Sequence, residues 1–191
     1  LSIAGVLFTG LVVGLYMLID FDRVHNAVIN IIPNKYCKDC SNLLDKIGIE
    51  IRKTVNGTLL VALMVLVCDS LLFMIIGLDS PLLFGTICGL TDLIPYIGPY
   101  IGGLIAVVVG FSESSTVGIG VLISCFVVQI IENNILQPIV MSKTTKLHPV
   151  LIICGLLLFG HFFGITGMIF ATPALTLIKC IYEYVKDKYL S

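Results

Sequence analysis

The chain has 191 residues, of which 58% are hydrophobic and only 12% charged, and its mean hydropathy is +1.08. A soluble domain carries about 25% charged residues, so these side chains could not cover a water-facing surface. Disordered, collagen-like and disulfide-scaffold classes fall away too, because the apolar content is high and the 18 glycines follow no triplet period. What remains is an all-α, polytopic helical membrane protein.

The formal net charge of −1 says little, but charge placement says more. Arg23, Lys35, Lys38, Lys46, Arg52 and Lys53 lie before position 54, and no basic residue follows until Lys143. Within that gap stand Asp69, Asp79, Asp92, Glu113 and Glu132. No basic stripe with interleaved aromatics exists, so nucleic acid is not an expected partner. The seven cysteines form no ligand set. Cys68, Cys88, Cys125 and Cys154 sit in apolar runs as small core residues. Cys37 and Cys40 form a lone CxxC, two ligands short of a zinc site. No metal or cofactor is expected beyond coupling to Na+ or H+.

A bilayer core about 30 Å thick needs about 20 apolar residues of helix. Residues 1–19 read as the first such span. They open at Leu1 without a charged leader, so they are not a signal peptide; the expectation is that earlier spans of the native protein precede them. Residues 20–57 form an amphipathic helical segment split at Pro33-Asn34, with Phe21, Val24, Val28 and Ile31 on one face and Leu44, Ile47 and Ile51 on another. Its basic residues place it in the cytoplasm.

Residues 58–111 predict a transmembrane helix plus a broken hairpin. The helix ends at the Leu78-Asp79-Ser80-Pro81 turn. Beyond it, 30 apolar positions are interrupted at Asp92–Pro99 by two prolines and a glycine. An unbroken helix of that length would reach about 45 Å, too long for the hydrocarbon, and Pro95 and Pro99 would break it. A re-entrant hairpin entering and leaving on the outer side fits better. Residues 116–181 predict a second transmembrane helix plus a second broken hairpin, interrupted between Gly160 and Gly167 with Gly160, Gly164 and Gly167 as hinges. The basic tail, residues 182–191, is cytoplasmic. A span with a hairpin from outside, followed by a span with a hairpin from inside, is in outline an inverted-topology repeat.

Irregular backbone at membrane depth persists only where protein or a water-filled cavity covers it. The Asp92–Pro99 break therefore predicts a cavity, with Pro95, Tyr96, Gly98 and Pro99 along the pathway. Buried carboxylates are expensive in a bilayer and face a bundle interior. Asp92 is the first candidate for a cation or proton site and Asp69 the second. Gln129, Asn133 and Gln137 recur every fourth residue, with Glu132 and Asn134 beside them. On a straight helix they form one polar stripe, which must look into protein or water. For Asp69 and the stripe, interhelical hydrogen bonding is an equal alternative to function. His161 is read as a capping or packing residue before a proton relay.

These segments carry a resemblance. Ile94-Pro95-Tyr96-Ile97-Gly98-Pro99 resembles the signature of the autoinducer-2 exporter family of membrane transporters. So do Gln129 to Pro138, then Lys143, Leu147-His148-Pro149, and Phe163-Gly164-Ile165-Thr166-Gly167 through Pro173. The motifs run in the family's order and spacing over essentially the whole chain, matching its C-terminal portion. Asn133 stands where a glycine is common, Ile139 where a basic residue is frequent, and Ser142 where a glycine is usual.

The resemblance implies a multi-pass plasma-membrane transporter that is homo-oligomeric. By it, the chain exports a small polar molecule such as autoinducer-2 by alternating access. Sodium or lithium exchange for protons is the alternative within the family. Two further classes are weighed against these. An intramembrane enzyme could use Asp69 and Asp92 as a dyad, but no GxGD, HExxH or GxSxG motif is present, so no enzyme is expected. A non-transporting protein acting in a complex or in sporulation would have little use for internal acids.

Overall fold

In a computed structural model the described residues are 37–141 and 147–189. The expected first span, the Pro33-Asn34 break, Lys143 and Lys146 lie outside them, as do the side chains of Cys37 and Cys40. Every described element is helical. They are α1 (Cys37–Ile76), α2 (Pro81–Thr91), α3 (Gly98–Glu113), α4 (Ser115–Ile131), a π-helical segment (Glu132–Leu136), α5 (Gln137–Met141) and α6 (Pro149–Tyr189). Ser41–Ile76, Ser115–Val140 and Pro149–Asp187 are long and apolar enough to cross a membrane, whereas α2 and α3 are too short. The chain divides into two compact units, one of Asn56–Lys143 and one of the described residues on either side of it.

In the Asn56–Lys143 unit, the apolar end of α1 stops where the Leu78 N–H reaches the Phe73 carbonyl (3.1 Å). Pro81 then opens α2, where its missing N–H costs nothing. Helices α2 and α3 form an antiparallel hairpin: α3 Gly102 lies on Cys88 of α2, and Gly98 lies on Thr91 and Asp92. At the rim, the backbone N–H of Asp79 donates to Glu113 Oε1 (3.0 Å), so the hairpin begins and ends side by side. Ser114 caps α4 by accepting from the Val117 N–H (3.1 Å).

Small residues let these helices close on one another. A Cβ on Gly85 would lie 2.7 Å from the Ser70 nitrogen, and one on Gly89 2.7 Å from the Ala62 carbonyl. Two apolar clusters result. One gathers Phe73, Leu78, Cys88, Ala106 and Val121; the other gathers Val61, Val65, Val128 and Leu136. The opposite faces stay apolar and uncovered: Leu60, Leu63, Val67, Leu71 and Met74 of α1 recur at helical spacing on the outside. That is the pattern of a lipid-facing surface.

The other unit contains α6, which folds back on itself at Gly164, where φ is 62° and ψ is −148°. Residues 149–163 and 165–189 run antiparallel, with Gly160 against Met168 and Gly155 against Leu175. A rim of charge joins its helices, with Lys46 3.5 Å from Glu183 and Lys179 3.6 Å from it. The expected polar segment and the span after it share one uninterrupted helix, α1, because no proline intervenes between 37 and 76.

Candidate functional site

Asp69, Asp92 and Glu132 are buried to 4%, 6% and 3% exposure, all in the Asn56–Lys143 unit. The stretch from Thr54 to Ser142 contains no Lys, Arg or His. Asp69 sits on α1 beside Ser70, over which Gly85 packs. That close approach sets the Cys88 thiol of α2 against the Asp69 carboxylate. Asp92 caps α2 at the hairpin tip, its N–H on the Cys88 carbonyl (3.0 Å), within electrostatic range of both other acids.

Glu132 opens the π-helical segment. Pro138 cannot donate to the turn before it, and its ring crowds the carbonyl four residues back. The helix widens there, and the Gln137 N–H bonds the Glu132 carbonyl five residues earlier. The widened turn carries Gln129 and Gln137 to the two sides of one carboxylate. Gln129 Nε2 donates to Glu132 Oε2 (3.0 Å) and Gln137 Nε2 to Oε1 (2.8 Å).

A cavity of about 20 Å³ lies where the two apolar clusters meet. Asp69, Cys88, Cys125, Gln129 and Glu132 supply its polar lining, and Pro99 and Gly103 of α3 form one wall. Asp69 Oδ1 and Ser70 Oγ have no hydrogen-bond partner among the described residues. No three His, Cys, Asp or Glu side chains among the described residues are arranged to hold a metal ion.

The polar stripe expected of a straight helix is corrected here. Glu132, not Asn133, lies between Gln129 and Gln137 on the inner face. Asn133 and Asn134 are exposed, and Asn134 Nδ2 donates to its own helix at the Ile130 carbonyl (2.8 Å). Gln129 and Glu132 are already neighbours at i,i+3, and the extra residue of the π turn brings Gln137, five residues on, to the same carboxylate. At the hairpin tip, Pro95, Tyr96 and Gly98 make the bend. The Ile97 N–H reaches the Pro95 carbonyl (2.8 Å) around Tyr96, whose φ is 65°, a γ-turn in its strained form. Pro99 lines the cavity, whereas the Tyr96 side chain is exposed. In the other unit Gly164 makes the bend, while Gly160 and Gly167 are helical residues where the limbs of α6 touch. Cys88 and Cys125 escaped the sequence reading as site residues, since a thiol in an apolar run looks like any small core group.

Buried acids at a broken helical hairpin, within a bundle wrapped in apolar residues, are the dress of a membrane transporter, and comparison with known proteins gives the family. The profile described as AI-2E family transporter matches residues 2–187. The chain belongs to that family. YrrI of Bacillus subtilis (strain 168), provisionally named a transport protein, is 35% identical over 164 residues, which are 86% of this chain and 46% of that protein. YueF of the same organism, named likewise, is 32% identical over 87% of this chain and 45% of its own length. PerM of Escherichia coli (strain K12), provisionally named a permease, is 30% identical over 90% of this chain and 49% of its own. The chain thus spans about half the length of the curated relatives it matches. No solved structure matches it. As a member of the AI-2E family with several long apolar helices, it is a multi-pass membrane protein.

Proposed function

We propose that the chain is the C-terminal part of a secondary transporter that exchanges a small cation, Na+ or Li+, for protons by alternating access. The observation that carries this reading is the burial of Asp69, Asp92 and Glu132 within reach of one another, Asp69 and Glu132 lining one small cavity, in a stretch of 89 residues without a single basic side chain. Buried carboxylates with no protein counter-charge hold either protons or cations. A site that alternates between the two is an exchanger.

Export of a neutral, hydroxyl-rich solute such as autoinducer-2 is supported less well. It calls for amides free to meet hydroxyls, whereas the Gln129 and Gln137 amino groups are engaged by Glu132 and Asn134 bonds its own helix. In this reading the α2–α3 hairpin is re-entrant from the outer leaflet, and residues 20–57 and the C-terminal tail are cytoplasmic. The apolar outer faces meet lipid and further copies of the chain in a homo-oligomer in the plasma membrane.

The test is flux. Full-length protein in liposomes carrying a pH-sensitive dye dissipates an imposed pH gradient when Na+ or Li+ is added outside. Asp69→Asn and Glu132→Gln each abolish that response, while Asp79→Asn at the rim leaves it intact. Full activity in both core variants, or a gradient that responds only to an added polyol, overturns the exchange reading.

A further inference from the structure

We infer that a single buried water joins Asp69 to Glu132, and that this carboxyl–water–carboxylate chain holds the proton the transporter exchanges. The inference rests on the proton-coupled reading above but is carried by separate geometry. A cavity of about 20 Å³ exceeds the roughly 10–15 Å³ that one water requires, provided two to four polar partners surround it. Those partners are here. Asp69 lines the cavity, and its Oδ1 is buried with no hydrogen-bond partner among the described residues. In a native protein such an atom calls for a water or an ion. Each Glu132 oxygen accepts one amide hydrogen and keeps a lone pair for a second donor. The Gln129 side chain, whose amino group points to Glu132, completes the polar wall.

A proton needs only the chain of acceptors. Every titratable group facing the cavity belongs to it or flanks it: Asp69 from α1, Cys88 from α2, Cys125 from α4 and Glu132 from the π-helical segment, with Asp92 nearby at the hairpin tip. Helix α3 contributes Pro99 and Gly103, which do not titrate.

The proton step balances without any co-reactant. Protonated Asp69 donates its O–H to the water, and the water donates to the Glu132 carboxylate, which the two amides hold as an acceptor. On release the Asp69 O–H bond breaks and its proton passes to the water. A hydrogen of that water leaves toward the open side, so Asp69 becomes a carboxylate and the water is regenerated. Asp69 is then the group that carries the proton, and Glu132 the fixed anion that orients the water.

Gly103→Ala tests this without touching a titratable group. A Cβ there meets only Cys125, at 3.5 Å from Sγ and 3.7 Å from Cβ, an ordinary contact, so the fold survives while the added methyl takes the space of the water. The measurement is infrared difference spectroscopy between acidic and alkaline pH on full-length protein in liposomes, in ordinary, deuterated and heavy-oxygen water, with proton flux read on the same samples. Wild type shows a protonated-carboxyl band together with a water O–H band that shifts in heavy-oxygen water. Gly103→Ala loses the water band and the flux but keeps the carboxyl band. Asp69→Asn loses the carboxyl band. A full water band and full flux in Gly103→Ala overturn the bridge, as does a carboxyl band that survives Asp69→Asn. Absence of flux in wild type with both bands present strikes the exchange reading alone and leaves the water chain standing.

Discussion

The two helical hairpins reverse direction by different means. The α2–α3 hairpin turns through a six-residue tip, Asp92 to Ile97, bent at Pro95 and at a left-handed Tyr96, and it buries a carboxylate there. The hairpin within α6 turns at one residue, Gly164, whose φ of 62° and ψ of −148° lie where almost no side chain is tolerated. Its neighbours His161, Phe162 and Phe163 are exposed, and the aromatic rings pack on one another. A turn that must bury an acid is built from several constrained residues, whereas a turn that only reverses the chain needs a single glycine. The polar burial differs in kind as well. Thr172 and Thr176 of α6 are buried hydroxyls, while the Asn56–Lys143 unit buries three carboxylates, two of which, Asp69 and Glu132, line one cavity.

The comparison breaks first at Gly98. A Cβ there would run into the Thr91 carbonyl, backbone against backbone, so Gly98→Ala forces the α2–α3 hairpin apart. The expected loss is about 3 kcal/mol, seen as a large fall in the thermal unfolding midpoint in detergent together with loss of flux. Gly164→Ala comes next. No atom crowds that position, so only the backbone conformation resists, and the cost is about 2 kcal/mol. Because the α6 turn holds no acid, Gly164→Ala should lower the midpoint yet leave the carboxyl band of the cavity unchanged; loss of that band would erase the distinction between the hairpins. The smallest effect is expected at Tyr96. Relief of a left-handed bulky residue is worth about 1–2 kcal/mol, offset by roughly 0.5–1 kcal/mol for the freedom glycine gains in the unfolded chain. Tyr96→Gly should therefore raise the midpoint slightly, and a clear fall would show that the exposed ring makes a contact the strain sustains.

Much of this architecture is legible in the sequence. Pro95 and Pro99 interrupt a continuous helix, and the absence of Lys and Arg between 54 and 142 leaves the acids of that stretch without a basic neighbour in sequence. The side chain that faces inward at 129–137 was not legible. Periodicity assumes 3.6 residues per turn, and the π turn ahead of Pro138 departs from it, which pairs Gln137 with Glu132 rather than with Asn133. The thiols of the cavity stayed hidden because Cys88 and Cys125 follow the apolar pattern of their helices. The α6 turn was legible only as a region, since three glycines share it and composition cannot say that Gly164 takes the positive φ while Gly160 and Gly167 stay helical.

The bond from the Asp79 N–H to Glu113 pins both feet of the α2–α3 hairpin at one rim. Its shorter arm, 11 residues long, reaches about 16 Å from that anchorage. A cantilever moves most at its free end, so any swing of the hairpin displaces Asp92 far more than Glu113. Geometry alone then makes the tip the sensitive end of the lever and the rim its fulcrum.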